Sequence, residues 1–164
     1  MFMKSLAVLT MFALSLTNAI AASSSYRTLE IQQFEVPGDI GLPPDFSGNL
    51  MADLVAEISR SKAFSHVYRA GTNLEGAAPP ALRLTGRITE FRRGNRAVRY
   101  MVGFGAGKTV LKADIQFVDV ETGKVIMQRT VDGKVVMGLL GGEAMGATRG
   151  VAKEVAKLAR QSIR

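Results

Sequence analysis

The chain contains no cysteine and no tryptophan, a single histidine in 164 residues, and 14 acidic residues against 21 basic ones. Each shortage excludes something. Without cysteine there is no disulfide framework, so a folded state must rest on an apolar core, and no lipid can be attached to a cysteine behind a signal segment. With His66 alone and no dense carboxylate cluster, the chain offers no ligand set for zinc or a transition metal. No cofactor is expected.

Long hydrophobic runs are lacking too. The apolar stretch Leu6–Leu16 follows Lys4 and leads to Ala19-Ile20-Ala21, the small-x-small pattern of a signal peptidase site. It is shorter than the roughly 20 residues a membrane-spanning helix needs. Residues 1–21 therefore read as a cleaved signal peptide, residues 22–164 as one mature domain with no transmembrane span, and the location as periplasmic or secreted with a new N-terminus at Ala22. A chain of about that length can bury close to 70% of its unfolded surface around one core.

Catalytic patterns are equally scarce. His66, in Ser65-His66-Val67, has no neighbour in sequence to orient it and suits a partly buried structural histidine. Asp114, Asp119 and Asp132 surround one hairpin with no sign that two of them converge as an acid/base pair. A G-x-S-x-G elbow is absent. An enzyme is not expected, and a periplasmic hydrolase without a recognisable motif is the alternative. Gly103-Phe-Gly105-Ala-Gly107-Lys108-Thr109 superficially suggests a phosphate-binding loop, but Val102 stands where G-x-x-x-x-G-K-[ST] requires glycine. The residues after Lys108 also alternate like a strand, whereas such a cradle opens a helix.

What the chain does have is concentrated positive charge. Arg83, Arg87, Arg92, Arg93, Arg96, Arg99, Lys108 and Lys112 fall in one stretch against the single acid Glu90. Loss of Lys4 with the signal lowers the formal charge from +7 to about +6. Such a block attracts phosphate-bearing partners, which outside the cytoplasm are anionic lipid headgroups and lipopolysaccharide rather than nucleic acid. A solvated strand face with a basic loop is the plainer reading of the same residues.

Periodicity orders the rest. Tyr26–Val36 alternates as a first strand around Leu29, Ile31 and, after a slip, Phe34. Ser47 is placed to cap a helix over Gly48–Lys62 with Leu50, Met51, Leu54, Val55 and Ile58 at helical spacing. Phe64–Ala70 reads as a short second strand. From Ala81, Leu82, Leu84, Gly86 and Ile88 alternate with polar residues, and Gly86 leaves a gap on the buried face for something to pack closely. Thr109–Val120 and Lys124–Gly133 form a hairpin across Glu121-Thr122-Gly123, with glycine where a positive φ is needed. Gly138, Gly142, Gly146 and Gly150 recur every fourth position. They read either as a helix zipper or as a flexible loop, Gly138–Gly142, leading into a final helix from Glu143 to Ile163. The predicted fold is a single α/β (α+β) sandwich: a mostly antiparallel or mixed sheet of about five strands with two main helices packed on it.

Gly94-Asn95-x-Ala97-x-Arg99-x-x-Val102-Gly103-Phe104-Gly105-Ala106-Gly107, then Asp119-x-x-Thr122-Gly123-Lys124-Val125 and Gly141-Gly142, resembles the bacterial exported proteins grouped as domain of unknown function 4410. The Arg99–Ala106 piece and the following turn are more distantly similar to the curli-secretion channel lipoproteins. The resemblance implies a fold and an envelope setting and imports no activity. A pore is not expected, because the segments Arg92–Thr109 and Val131–Glu143 are short and rich in Gly or Arg, unlike the alternating strands of membrane hairpins. The expected role is binding or assembly in the cell envelope. Its contact surface is Arg92, Arg93, Arg96, Arg99, Gly103, Gly105, Gly107 and Lys108, and its partners are anionic envelope components, another envelope protein or further copies of the chain.

Overall fold

The computed structural model describes residues 26–72, 81–93, 109–134 and 143–162. The signal segment, Gly103, Gly105, Gly107 and the run Gly138–Gly142 lie outside them. The elements in chain order are β1 (Thr28–Ile31), α1 (Phe46–Ser61), β2 (His66–Arg69), β3 (Ala81–Arg92), β4 (Val110–Asp119), β5 (Val125–Lys134) and α2 (Glu143–Ser162). The strands form one mixed sheet in the order β2-β1-β3-β4-β5. β1 lies parallel to both β2 and β3, while β3–β4 and β4–β5 are antiparallel.

Both helices pack against each other on one face of this sheet. Alternation fills that face with Leu29, Ile31, Leu82, Leu84, Ile88, Leu111, Ala113, Ile115 and Phe117, all buried. The first strand is shorter than its hydrophobic pattern suggests. After Ile31 the chain leaves the ladder, rejoins it only at the bridge Glu35↔Arg87, and lays the Phe34 ring over Gly86. A Cβ on Gly86 would come within 2.6 Å of the ring, so the gap predicted there is real and filled.

The start of α1 differs from the sequence expectation. Asp45, not Ser47, holds the N-cap position, and it makes no side-chain cap bond. Phe46 takes over as anchor: it is the first helical residue, only 2% exposed, and meets the Phe91 ring edge-on at 6.0 Å. Burying that ring fixes the entry of the chain in place of a cap.

The final helix covers Glu143–Ser162, and Gly138–Gly142, on which the choice between zipper and loop turns, lie outside the described residues. Its buried stripe is made of small residues, Ala147, Thr148, Ala152, Ala156 and Ala159, with Val151 and Val155 between them. This lets backbones approach. A Cβ on Gly133 of β5 would strike the Ala147 carbonyl oxygen and come within 2.8 Å of the Val151 nitrogen. Ala147 and Val151, one position beyond Gly146 and Gly150, are thus the residues that meet the sheet. Between the helices, the Thr148 hydroxyl donates to Asp53 at 2.6 Å.

Candidate functional site: the polar sheet face and the β3–β4 segment

The face of the sheet turned away from the helices carries the charge. A bulge between Ile88 and Glu90 shifts the alternation of β3 by one residue. Phe91 therefore follows the core, paired with Leu111, while Glu90 turns to the polar side opposite Lys112. Glu90 receives Lys112 at 2.6 Å and Arg92 at 2.8 Å. Those two contacts, Lys112 first, hold its carboxyl below the usual range.

Two more cations of the block, Arg83 and Arg87, meet acids the local sequence does not contain. Arg83 reaches Glu30 of β1 at 2.7 Å, and Arg87 reaches Glu35 at 3.6 Å. Strand pairing places Glu30 opposite Arg83 and bridges Glu35 to Arg87. Exposed ion pairs of this kind stabilise by about 0–1 kcal/mol each; their larger effect is to cancel the field of the block. The concentration of charge read from Arg83 to Lys112 is therefore partly offset: Arg83 and Arg87 each meet one acid, while Arg92 and Lys112 share Glu90. No sequence signal local to the block reveals this, because Glu30 of β1 and Glu35 of the segment after it lie some fifty residues earlier.

Of the predicted contact surface, Arg92 is exposed at the end of β3 and paired, and Arg93 is exposed just beyond it. Arg96, Arg99, Gly103, Gly105, Gly107 and Lys108 lie outside the described residues. The geometry at the base of their segment is defined. Arg92 is the register partner of Val110, so residues 93–109 depart from and return to one point at the end of the sheet.

The candidate catalytic residues are not brought together. His66 lies exposed on the edge strand β2, which corrects its expected partial burial. Asp114 accepts a hydrogen bond from Thr130 at 2.6 Å. Asp119 accepts from the Tyr26 hydroxyl at 2.8 Å and from the Thr122 backbone and hydroxyl. The Thr122 backbone N–H, followed by the Tyr26 hydroxyl, holds Asp119 below the usual carboxylate range. The turn it organises carries Gly123 at φ +69°, as expected. Asp132 faces Lys112 in register. Among the described residues no group of three His, Asp or Glu side chains could hold a metal ion, and no helix is long and apolar enough to cross a membrane.

Fold and surface together define a single α+β domain with a two-helix layer on one sheet face and a self-paired charged face on the other. The chain belongs to the family described as Domain of unknown function (DUF4410), whose family model matches residues 42–138. No match is found among curated proteins. Among solved structures, a PelC dodecamer from Paraburkholderia phytofirmans is similar at 13% identity and a TM-score of 0.55, covering 84% of this chain and 89% of that one. The hypothetical protein CT253 from Chlamydia trachomatis is similar at 8% identity and a TM-score of 0.57, covering 84% and 98%. Protein XCC0632 from Xanthomonas campestris, of the DUF330 family, is similar at 11% identity and a TM-score of 0.55, covering 88% and 87%. Identities this low speak to the fold, and fold alone does not fix function.

Proposed function

We propose that this protein is an exported, non-catalytic module of the cell envelope that works by binding or assembly through the segment Arg92–Lys108. One observation carries the reading: β3 and β4 are adjacent antiparallel strands that a short hairpin turn could join, yet residues 93–109 intervene. Hairpin connections between neighbouring strands usually run to about two to five residues, so one this long marks the place to look for a contact element. Glu30, Glu35 and Glu90 pair with Arg83, Arg87, Arg92 and Lys112, so Arg93 and the residues after it are where further unmatched charge is sought.

Assembly is supported by the dodecameric state of the PelC that shares the fold. An assembly of this chain would be a closed one. β5 is an edge strand of ten residues, the kind of edge that recruits further strands. Arg129 sits on its helix-facing side, in register with the buried Ile115, and is exposed. An inward-facing charge of this kind opposes open-ended sheet growth.

The test combines light scattering on the purified protein with binding to vesicles of phosphatidylglycerol and to lipopolysaccharide at low and high salt. A defined oligomer, or salt-sensitive binding that weakens in an Arg92→Ser/Arg93→Ser variant, supports the reading. A monomer without salt-sensitive binding to either surface overturns it.

A further inference from the structure

A second site lies at the opposite end of α1 from Phe46. Tyr26, Arg27, Ser59, Lys62, Phe64 and Ser65 line an open depression of about 570 Å³. Tyr26 and Phe64 are buried and form its apolar floor. The Tyr26 hydroxyl is committed to Asp119, which leaves the ring to line the depression. The exposed rim consists of Arg27, Lys62, Ser59 and Ser65. Backbone bonds hold the rim together: Ser65 and His66 N–H groups both donate to the Arg27 carbonyl, at 2.8 and 3.1 Å.

Two features separate this rim from the sheet face. Arg27 and Lys62 form no ion pair among the described residues, although Arg83, Arg87, Arg92 and Lys112 all do. Lys62 is also the one non-glycine residue with a positive φ, 54°, among the described residues. It occupies the left-handed position that ends α1, with its N–H on the Ser59 carbonyl, where glycine is the usual occupant. Backbone strain retained against a cheaper alternative points to a use for the side chain.

We propose that this depression is a binding site for a phosphate-bearing anion. The rim offers guanidinium, ammonium and two hydroxyls, all able to donate hydrogen bonds, and no acid among its lining residues. That is the complement of a phosphate group, which presents acceptor oxygens and negative charge. The depression is larger than a bare ion requires and falls in the size range of small-ligand sites. The Tyr26 and Phe64 floor takes the carbon part of the ligand. This site is independent of the segment Arg92–Lys108.

The test is titration of the purified protein with inorganic phosphate, followed by backbone amide NMR shifts, alongside flotation with phosphatidylglycerol or phosphatidylcholine vesicles. Saturable shifts are expected at Arg27 and at Ser59–Ser65. Lys62→Gly and Arg27→Ser are each expected to weaken phosphate binding by about tenfold, the loss of one charge-assisted contact. Lys153→Gln, at an exposed cation outside both sites, is expected to leave it unchanged. Lys62→Gly relieves the positive φ, so its melting temperature should not fall, and lost binding cannot be ascribed to unfolding. Phosphatidylglycerol binding that is lost in both variants identifies a lipid headgroup, and phosphate binding without vesicle binding identifies a soluble phosphate compound. Shifts elsewhere, or unchanged affinity in Lys62→Gly and Arg27→Ser, overturn the proposal.

Discussion

Gly133→Ala adds one methyl group to β5, and the structure specifies what that methyl meets. Its nearest neighbours are the Ala147 carbonyl oxygen, the Val151 nitrogen at 2.8 Å and the Val151 Cγ2 at 2.9 Å. Two of the three are helix backbone, so no side-chain rotation makes room and α2 must move off the sheet. Overpacking costs about 1–3 kcal/mol, and backbone obstruction puts this site toward the upper end. The smaller entropy of the unfolded chain returns about 0.4–1 kcal/mol when glycine becomes alanine. The net expectation is a loss of about 2 kcal/mol, which for a domain of this size is a fall of about 6 °C in melting temperature. Thermal and urea denaturation followed by circular dichroism measure it. Gly86→Ala gives an internal contrast, because the three atoms nearest its added methyl all belong to the Phe34 ring. Phe34→Leu should therefore rescue Gly86→Ala in a double-mutant cycle, with a coupling of about 1 kcal/mol, while Val151→Ala should not rescue Gly133→Ala. A Gly133→Ala protein that melts within about 1 °C of the wild type would refute the direct seating of α2 on β5.

Mass spectrometry of the protein from its native host should show an N-terminus at Ala22; an intact Met1 would sink the export reading. Arg92→Ser/Arg93→Ser should change stability by no more than about 1 kcal/mol in urea melts, because the pair it breaks is at the surface. Asp119 has its carboxyl held low in the folded state, so its contribution to stability is present above the ordinary aspartate value of about 3.9 and is lost as pH falls through the lower folded value. Asp119→Asn should flatten that acid limb of the stability profile, and an unchanged limb would remove the role assigned to the Tyr26 and Thr122 contacts.

Most elements of this fold are legible in the sequence because their side chains alternate or recur with clear periods. Leu82, Leu84 and Ile88 announce β3, and Leu111, Ala113, Ile115 and Phe117 announce β4. The pairing is less legible. Nothing in β1 says that it will lie between two parallel neighbours, because that depends on where the connections around α1 and before β3 lead. The helix start shifts from Ser47 to Asp45 because burial of Phe46 outweighs cap preference. The stripe of α2 is faint in the sequence because alanine carries a weak hydrophobic signal, yet alanine is what allows the helix to approach Gly133. At the candidate sites, local charge counting finds the cations and misses Glu30 and Glu35. The Arg27 and Lys62 depression joins residues on either side of a helix, and its sequence signal is slight: a lysine where a glycine would end α1 at lower cost.

The pairing of Arg92 with Val110 has an evolutionary consequence. Because the β3–β4 ladder holds Arg92 beside Val110, lengthening the connection between them costs the scaffold chiefly loop-closure entropy. Doubling a loop costs only about 0.6 kcal/mol. Phe46, Phe117 and the α2 seat on Gly133 all lie outside that connection in sequence. A lineage can therefore vary the length of that connection at small cost to the domain that carries it.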